Sequence, residues 1–296
     1  MTATREHRPL GSWLVTGAGG MLGRDMVAAL RHRGDDVTGM ARHDLDVADE
    51  DAVRDVVRRY RPAVVVNCAA WTAVDDAEAH EEEALAVNGR GAANVAAACA
   101  HSGARLVHVS TDYVFCGDGR RPYAEDDPPA PRTAYGRTKL AGERAVLRML
   151  PDAGYVVRTA WLYGAHGQNF VSTMIRLAGQ RPTVDVVADQ YGQPTWTADV
   201  AAQIIALADA GAAPGIYHAT SSGETTWFGL AREVFELLGA SPSRVRPVTS
   251  DAFPRPAPRP AYSVLGHGRH GSAGVEPPDH WLASLRRAWP ALSPAT

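Results

Sequence analysis

Cysteine is scarce. Cys68, Cys99 and Cys116 are the only three in 296 residues, and they lack metal-type spacing. That leaves no disulfide framework and no zinc-finger pattern, and the odd count suits a reducing cytoplasm, the compartment expected here. Long hydrophobic runs are missing too. No apolar stretch reaches the ~20 residues of a spanning helix, so no membrane role is expected. Residues 1–11 are polar, with Arg5 and Arg8, and lack the apolar core of an export signal. There is no excess of one charge sign: 30 Lys and Arg stand against 33 Asp and Glu, a formal net charge of -3. Without a basic field, nucleic acid is not an expected partner. No internal repeat is found. What is present is 45% hydrophobic and 21% charged, an ordinary globular composition long enough for a large core in one domain or two.

Strand and helix patterns alternate through the first half. Residues 12–16 form a short apolar run, followed by Gly17-Ala18-Gly19-Gly20-Met21-Leu22-Gly23 and a helical pattern from Met26 to Leu30. Gly17, Gly20 and Gly23 permit a tight turn, close approach of backbone to a phosphate, and close packing of helix on strand. The helix N-terminus then aims free N–H groups at the anion. In this setting the cluster reads as a dinucleotide loop, with a plain strand-to-helix turn as the alternative. Residues 36–40 read as the second strand. An NAD-selective site often places an acid near the end of that strand, to bind the ribose diol. This chain has Ala41, Arg42 and His43 there, so NADPH is expected, with NADH as the alternative.

A helix is expected over residues 49–60. Residues 63–67 are a continuous β-branched run, as in a strand buried on both faces. Small residues follow in Cys68-Ala69-Ala70-Trp71-Thr72 and let a ligand lie against the backbone. Residues 80–99 read as one Ala-rich helix. The fourth strand, residues 105–109, contains His108, read as a packed strand histidine rather than a catalyst. Its carboxyl end carries Ser110-Thr111-Asp112-Tyr113, facing the crevice where such sheets bind ligands. A fifth strand, residues 155–159, closes on Trp161, Tyr163 and Gly164. The pattern predicts an α/β fold with a doubly wound parallel Rossmann sheet.

The second half reads as helices over residues 170–178, 199–210, 227–238 and 279–289, and strands over 184–187 and 215–219. Alternate prolines over residues 253–260 predict an extended surface crossover. Residues 266–271, with two histidines among glycines, read as a loop rather than a metal site. A smaller, mainly C-terminal α/β substrate-binding domain is expected from residues 165–195 with 221–296. The dinucleotide domain then takes residues 11–164 with 196–220.

Tyr135-Gly136-Arg137-Thr138-Lys139 carries the chemistry. A Tyr and a Lys four residues apart share one helix face. A nearby ammonium favours the phenolate, which would suit Tyr135 to exchange a proton with a carbonyl oxygen near neutral pH. Alone the pair reads as a tyrosine packed on a lysine stem. With the glycine turn and Thr111 it reads differently. The Thr111 hydroxyl holds a substrate carbonyl, Tyr135 protonates it as hydride arrives from a nicotinamide, and Lys139 holds the nicotinamide ribose.

This set resembles the extended short-chain dehydrogenase/reductase superfamily. More narrowly, Ser110-Thr111-Asp112-Tyr113-Val114-Phe115, Tyr135-Gly136-Arg137-Thr138-Lys139-Leu140-Ala141-Gly142-Glu143, Arg158-Thr159-Ala160-Trp161-Leu162-Tyr163, Asn169-Phe170, Asp189-Gln190, Pro194-Thr195 and Arg259-Pro260 resemble the dTDP-4-dehydrorhamnose reductases. The resemblance runs from Trp13 to Trp289. It implies that Gly17, Gly20, Met21, Leu22 and Gly23 form the pyrophosphate loop, that Asp46 and Val47 lie beside the adenine, and that Ala70, Trp71 and Thr72 line the cofactor. Thr111 and Asp112 would contact the substrate, as would Trp161, with Tyr135 the proton donor and Lys139 its cofactor-binding partner. The implied reaction is NADPH-dependent reduction of the 4-keto group of a dTDP-6-deoxy-L-hexose, giving dTDP-L-rhamnose in the usual case. A homodimer is compatible with the family.

Cys116 stands where the family commonly has Asp or another residue. Leu265-Gly266-His267 replaces the frequent Leu-Asp or Leu-Asn in a region that shares in recognising the sugar. Some relatives hold Mg²⁺ at a dimer interface with glutamates. Asp25 matches one of these, but no acid near Thr197 matches another, so no metal is expected. Alternatives are a 4-ketoreductase for another dTDP-4-keto-6-deoxyhexose of antibiotic pathways, such as dihydrostreptose, and a non-catalytic regulatory subunit of the methionine adenosyltransferase type. The second has no need of Thr111, Tyr135 and Lys139 together. An epimerase would need a catalytic pair that is not identified. Replacing Arg42→Ala is expected to weaken NADPH more than NADH; equal effects in binding titrations would remove Arg42 from the site.

Overall fold

The computed structural model describes residues 11–293. The export-signal reading falls almost wholly on residues 1–10, which lie outside the described residues, as do 294–296. The first half runs β1 (Trp13–Thr16), α1 (Met21–Arg33), β2 (Val37–Met40), α2 (Glu50–Tyr60), β3 (Val64–Asn67), α3 (Val74–Ala77), α4 (Glu81–Leu85), α5 (Ala92–Ser102), β4 (Arg105–Thr111), α6 (Ala134–Met149) and β5 (Gly154–Thr159). Then come β6 (Leu162–Tyr163), α7 (Phe170–Gln180), β7 (Val184–Val187), β8 (Tyr191–Gly192), β9 (Thr195–Trp196), α8 (Thr197–Asp209), β10 (Gly215–His218), β11 (Thr225–Thr226), α9 (Trp227–Leu237), β12 (Val245–Val248), α10 (His270–Ala273) and α11 (Trp281–Leu292).

Six strands form one parallel sheet in the order β10-β5-β4-β3-β1-β2. The chain goes from β1 to β2 on one side and returns to β3 on the other, so the order reverses at β1. Beyond the carboxyl ends of the strands at such a reversal lies the crevice where doubly wound sheets take ligands. Alternation along each strand gives the sheet two apolar faces. Trp13, Val15, Val64, Val66 and Val157 pack with Met26 and Leu30 of α1 and Val200 and Ile204 of α8. Leu14, Val65, Leu106 and Val156 pack on the other face with Val53 of α2, Val95 of α5 and Val146 of α6. A third core draws Val171 and Met174 of α7, Val184 and Val186 of β7, Phe235 of α9, Val245 of β12 and Leu285 of α11 together away from the sheet.

Local signals set the helix starts. Asp49 caps α2 by accepting from the Ala52 N–H, Thr133 caps α6 through the Gly136 N–H, and Asn169 closes a capping box with Ser172 on α7. α1 has Gly20 at its N-cap and no side-chain cap. The helix expected over residues 80–99 is instead three pieces. A π-helical turn, Ala86–Gly91, separates α4 from α5. The extra residue in that turn carries Asn88 inward, where it is fully buried and hydrogen-bonded to the Trp71 backbone and to Thr138. Residues 266–271 are likewise not all loop, since α10 begins at His270.

One buried ion pair fastens α6 to β5. The Arg158 guanidinium donates to both carboxylate oxygens of Glu143, at 2.9 and 2.7 Å, and each side chain is almost wholly buried. Removing one partner leaves the other charge unpaired in the core. Glu143→Gln is therefore expected to lower stability by about 3–5 kcal/mol, read as a lower midpoint in urea unfolding; a change within ordinary surface-mutant scatter would refute this account of the pair.

Candidate active site

A cleft of about 1240 Å³ opens at the carboxyl ends of β1, β3, β4 and β5. Its floor at β1 is the glycine loop. Gly17 has φ of 65°, a left-handed backbone that favours glycine, and a Cβ there would sit 2.6 Å from the Ala69 backbone nitrogen. At Gly23 a Cβ would lie 2.3 Å from the Gly17 carbonyl oxygen, so the loop closes only over bare glycine. Beside the loop the cleft is lined by Met21, Leu22 and Gly20, and further out by Arg42, Asp46 and Val47. Arg42 is exposed and Val47 buried. Ala70, Trp71 and Thr72 line the wall after β3, where Asn88 grips the Trp71 backbone by its N–H and its carbonyl, at 2.9 and 3.1 Å.

Uncapped N–H groups at the start of α1, a loop that admits no Cβ at Gly17 or Gly23 and a guanidinium where the second strand ends together fit a phosphorylated dinucleotide. Gly17, Gly20 and Gly23 would hold its pyrophosphate, and Arg42 its 2′-phosphate.

Thr111 and Asp112 stand at the end of β4. The Thr111 hydroxyl donates to the Asp112 carboxylate at 2.9 Å, and its oxygen accepts from the Tyr113 N–H at 3.2 Å. Burial pushes the Asp112 carboxyl up to about 6 against hydrogen bonds from Ser263 and Thr111. Tyr135 enters from the first turn of α6 and hydrogen-bonds with Thr111, its ring edge-on to Tyr113 at 5.6 Å. Gly136 makes that placement possible. A Cβ there would fall 2.2 Å from the Tyr113 carbonyl oxygen, so only glycine lets the helix start lie against the β4 exit.

The expected electrostatics of the Tyr–Lys pair need correcting. Burial pushes Tyr135 up to about 12 rather than down, and hydrogen bonding with Thr111 only partly opposes it. Lys139 is also buried, and burial brings it down to about 8. Its nitrogen donates to the Val109 carbonyl at 2.7 Å and lies 3.4 Å from His108 Nε2. Desolvation outweighs the mutual influence that spacing alone suggests.

Trp161 forms the opposite wall. Its φ is 45°, a backbone that side chains rarely adopt. The conformation is held by a parallel stack on Trp227, 3.5 Å between ring centroids, and by Gly192, where a Cβ would meet the indole at 2.4 Å. Trp227 in turn donates to Gln190 at 3.2 Å. Arg255, Arg259 and Pro260 of the proline-rich crossover reach the rim, where Arg259 pairs with Asp75 at 2.7 Å.

Every position selected from the sequence thus lies along one cleft. Asn88 and Trp227 were not selected. Asn88 is hidden in an Ala-rich helical stretch whose π turn leaves no periodic mark, and Trp227 reads as the first residue of an ordinary amphipathic helix.

Fold and cleft together define a dinucleotide-dependent carbonyl reductase built on a Rossmann sheet. The family model described as the RmlD substrate binding domain matches residues 12–293. A dTDP-4-dehydrorhamnose reductase of Streptomyces griseus is 60% identical over 288 residues, covering 96% of this chain and 95% of the relative. A dTDP-4-keto-6-deoxy-D-glucose reductase of Streptomyces niveus is 58% identical over 281 residues, covering 95% and 97%. Among solved structures, the dTDP-4-dehydrorhamnose reductase of Bacillus anthracis in complex with NADP superimposes with a TM-score of 0.91 at 38% identity, covering 94% of this chain and 98% of that one. The chain belongs to the RmlD family of dTDP-sugar reductases.

Gly136→Ala is expected to shift Tyr135 away from Thr111 and lower kcat/KM by ~10²-fold while the protein stays folded by circular dichroism. Activity within a few-fold of the unmutated enzyme would show that the helix start tolerates the methyl group.

Proposed function

We propose that this chain reduces the 4-keto group of dTDP-4-dehydro-L-rhamnose to dTDP-L-rhamnose with NADPH, in the cytoplasm, where its three free cysteines stay reduced. The observation that carries the reading is the convergence of Thr111, Tyr135 and Lys139 on the cleft that the glycine loop opens. Family membership narrows the ligand to a dTDP-sugar. Residues 11–164 with 196–220 would bind the dinucleotide, and residues 165–195 with 221–296 the sugar nucleotide. Among the described residues no helix is long and apolar enough to cross a membrane.

Bound NADPH supplies the hydride. On substrate binding the Thr111 hydroxyl turns its one hydrogen from Asp112 to the substrate carbonyl oxygen, and Tyr135 gives that oxygen its phenolic proton. Burial keeps Tyr135 protonated across the working pH range, so it stands ready as the acid. Lys139 holds the cofactor ribose from the same helix face. Asp112, which takes the Thr111 hydrogen before substrate arrives, reaches the substrate beside it. Trp161, braced by Trp227, offers a flat apolar wall to the sugar.

The Streptomyces niveus relative, at 58% identity, supports a second reading in which the substrate is another dTDP-4-keto-6-deoxyhexose. Following NADPH oxidation with dTDP-4-dehydro-L-rhamnose and identifying the product sugar by NMR separates the two. Tyr135→Phe is expected to lower turnover by roughly 10²–10⁴ with NADPH affinity kept; near-normal turnover would sink the assignment of the proton donor.

A further inference from the structure

His108 is fully buried in β4, and proton delivery as described gives it no part. It belongs to a row. In the parallel register Thr16 of β1 lies beside Asn67 of β3, and Asn67 beside His108 of β4. Alternation puts all three on the face of Leu14, Val65 and Leu106, the face on which α6 packs. All three are buried.

Hydrogen bonding in this row has one consistent assignment. The Ala69 backbone N–H is an obligate donor 3.2 Å from Asn67 Oδ1, and the Thr16 hydroxyl donates to the same oxygen at 2.6 Å. Asn67 Nδ2 is therefore the donor that faces His108 Nδ1, 3.1 Å away. That ring nitrogen accepts and carries no hydrogen. Burial and the nearby Lys139 keep the imidazole neutral, well below the ordinary histidine range. Its single proton then sits on Nε2, which faces Lys139 Nζ at 3.4 Å.

An N–H aimed at an ammonium sets donor against donor, whereas aimed at an amine it meets a lone pair. The other groups around Lys139 leave that preference standing. Glu143, one turn along α6, is held bidentate by Arg158 of β5. The Cys68 thiol after β3 is kept protonated by burial, pushed up to about 12, and Tyr135 is protonated as well. The Val109 carbonyl accepts from amine and ammonium alike.

We propose that His108 is a positioning residue for Lys139: its tautomer, locked through Asn67 by the Ala69 N–H and the Thr16 hydroxyl, presents a proton to the lysine nitrogen and favours the uncharged amine over the ammonium. The inference rests on the reading of Tyr135 and Lys139 as the proton-delivery pair. Since an ammonium near the phenol favours the phenolate, the strand histidine sets the pH at which that help is withdrawn. With Lys139 brought down to about 8, the ammonium is present below that pH and lost as pH rises through it.

The sequence supplies a clean test, because Lys139 is its only lysine. Protein grown on isotopically labelled lysine gives one side-chain resonance whose titration needs no assignment. In cofactor-free enzyme it is expected to titrate near pH 8, and in His108→Phe about one pH unit or more higher. Asn67→Asp places an acceptor opposite Nδ1, turns the ring to its other tautomer and opens Nε2 as an acceptor, so it raises the titration too. If that effect passes through the ring, it shrinks clearly in the double variant. The proposal is overturned if His108→Phe titrates with the unmutated protein, or if Asn67→Asp moves the lysine equally with and without His108, as a plain charge would. Should the variants not fold, nitrogen NMR of the unmutated protein decides. The histidine in contact with the labelled lysine must carry its proton on Nε2, and a proton on Nδ1 refutes the scheme. Retained turnover in Tyr135→Phe would undo the underlying reading without touching any of these titrations.

Discussion

In-register pairing of β1, β3 and β4 sets Thr16, Asn67 and His108 side by side near the carboxyl edge of the sheet, and the site depends on that alignment. The backbone N–H of Ala69, just past β3, is satisfied there by the side chain of Asn67. The Asn67 amide takes both the Thr16 hydroxyl and the Ala69 N–H on one oxygen. One fixed backbone hydrogen thereby dictates an amide orientation, the amide dictates a ring tautomer, and the ring meets the nitrogen of Lys139. In a buried row no water is at hand to relax a mismatched donor, so each assignment binds its neighbour.

Desolvation governs Tyr135 and Lys139 in opposite directions. It keeps the proton on Tyr135 and loosens it on Lys139, because burial disfavours whichever form is charged. The Glu143–Arg158 pair beside them escapes this by full mutual hydrogen bonding. That pair also keeps the nearest carboxylate of α6 occupied. α6 is thus held to β5 by charges that neutralise each other, while its first turn offers a neutral acid to the cleft.

Across the cleft the constraints are steric. Trp161 keeps an uncommon backbone conformation because Gly192 leaves room for its indole and Trp227 stacks on it. The third apolar core holds α9, which begins at Trp227, so the Trp161 wall of the cleft is supported from outside the main sheet. The crossover that carries Arg259 is tied back to the Rossmann half by Asp75, which accepts from the Ala257 N–H as well as from the guanidinium.

Local pattern was enough to read the alternation of strands and helices, the glycine turn, the strand-end Thr111 and the Tyr135–Lys139 spacing, because each is written within a few neighbouring residues. The apolar runs of β1, β3 and β5 are of the same kind. Asn88 could not be found that way, since a π turn is one inserted residue with no change in composition. Nor could the stack of Trp161 on Trp227, whose partners are 66 residues apart in the chain and meet only through tertiary packing. The protonation of the Tyr–Lys pair was read with the wrong sign for Tyr135, because sequence gives spacing but not burial. His108 shows the division most plainly. By sequence it is an apolar-run histidine and nothing more; strand register brings Asn67 to one side of its ring, and the packing of α6 on the sheet brings Lys139 to the other.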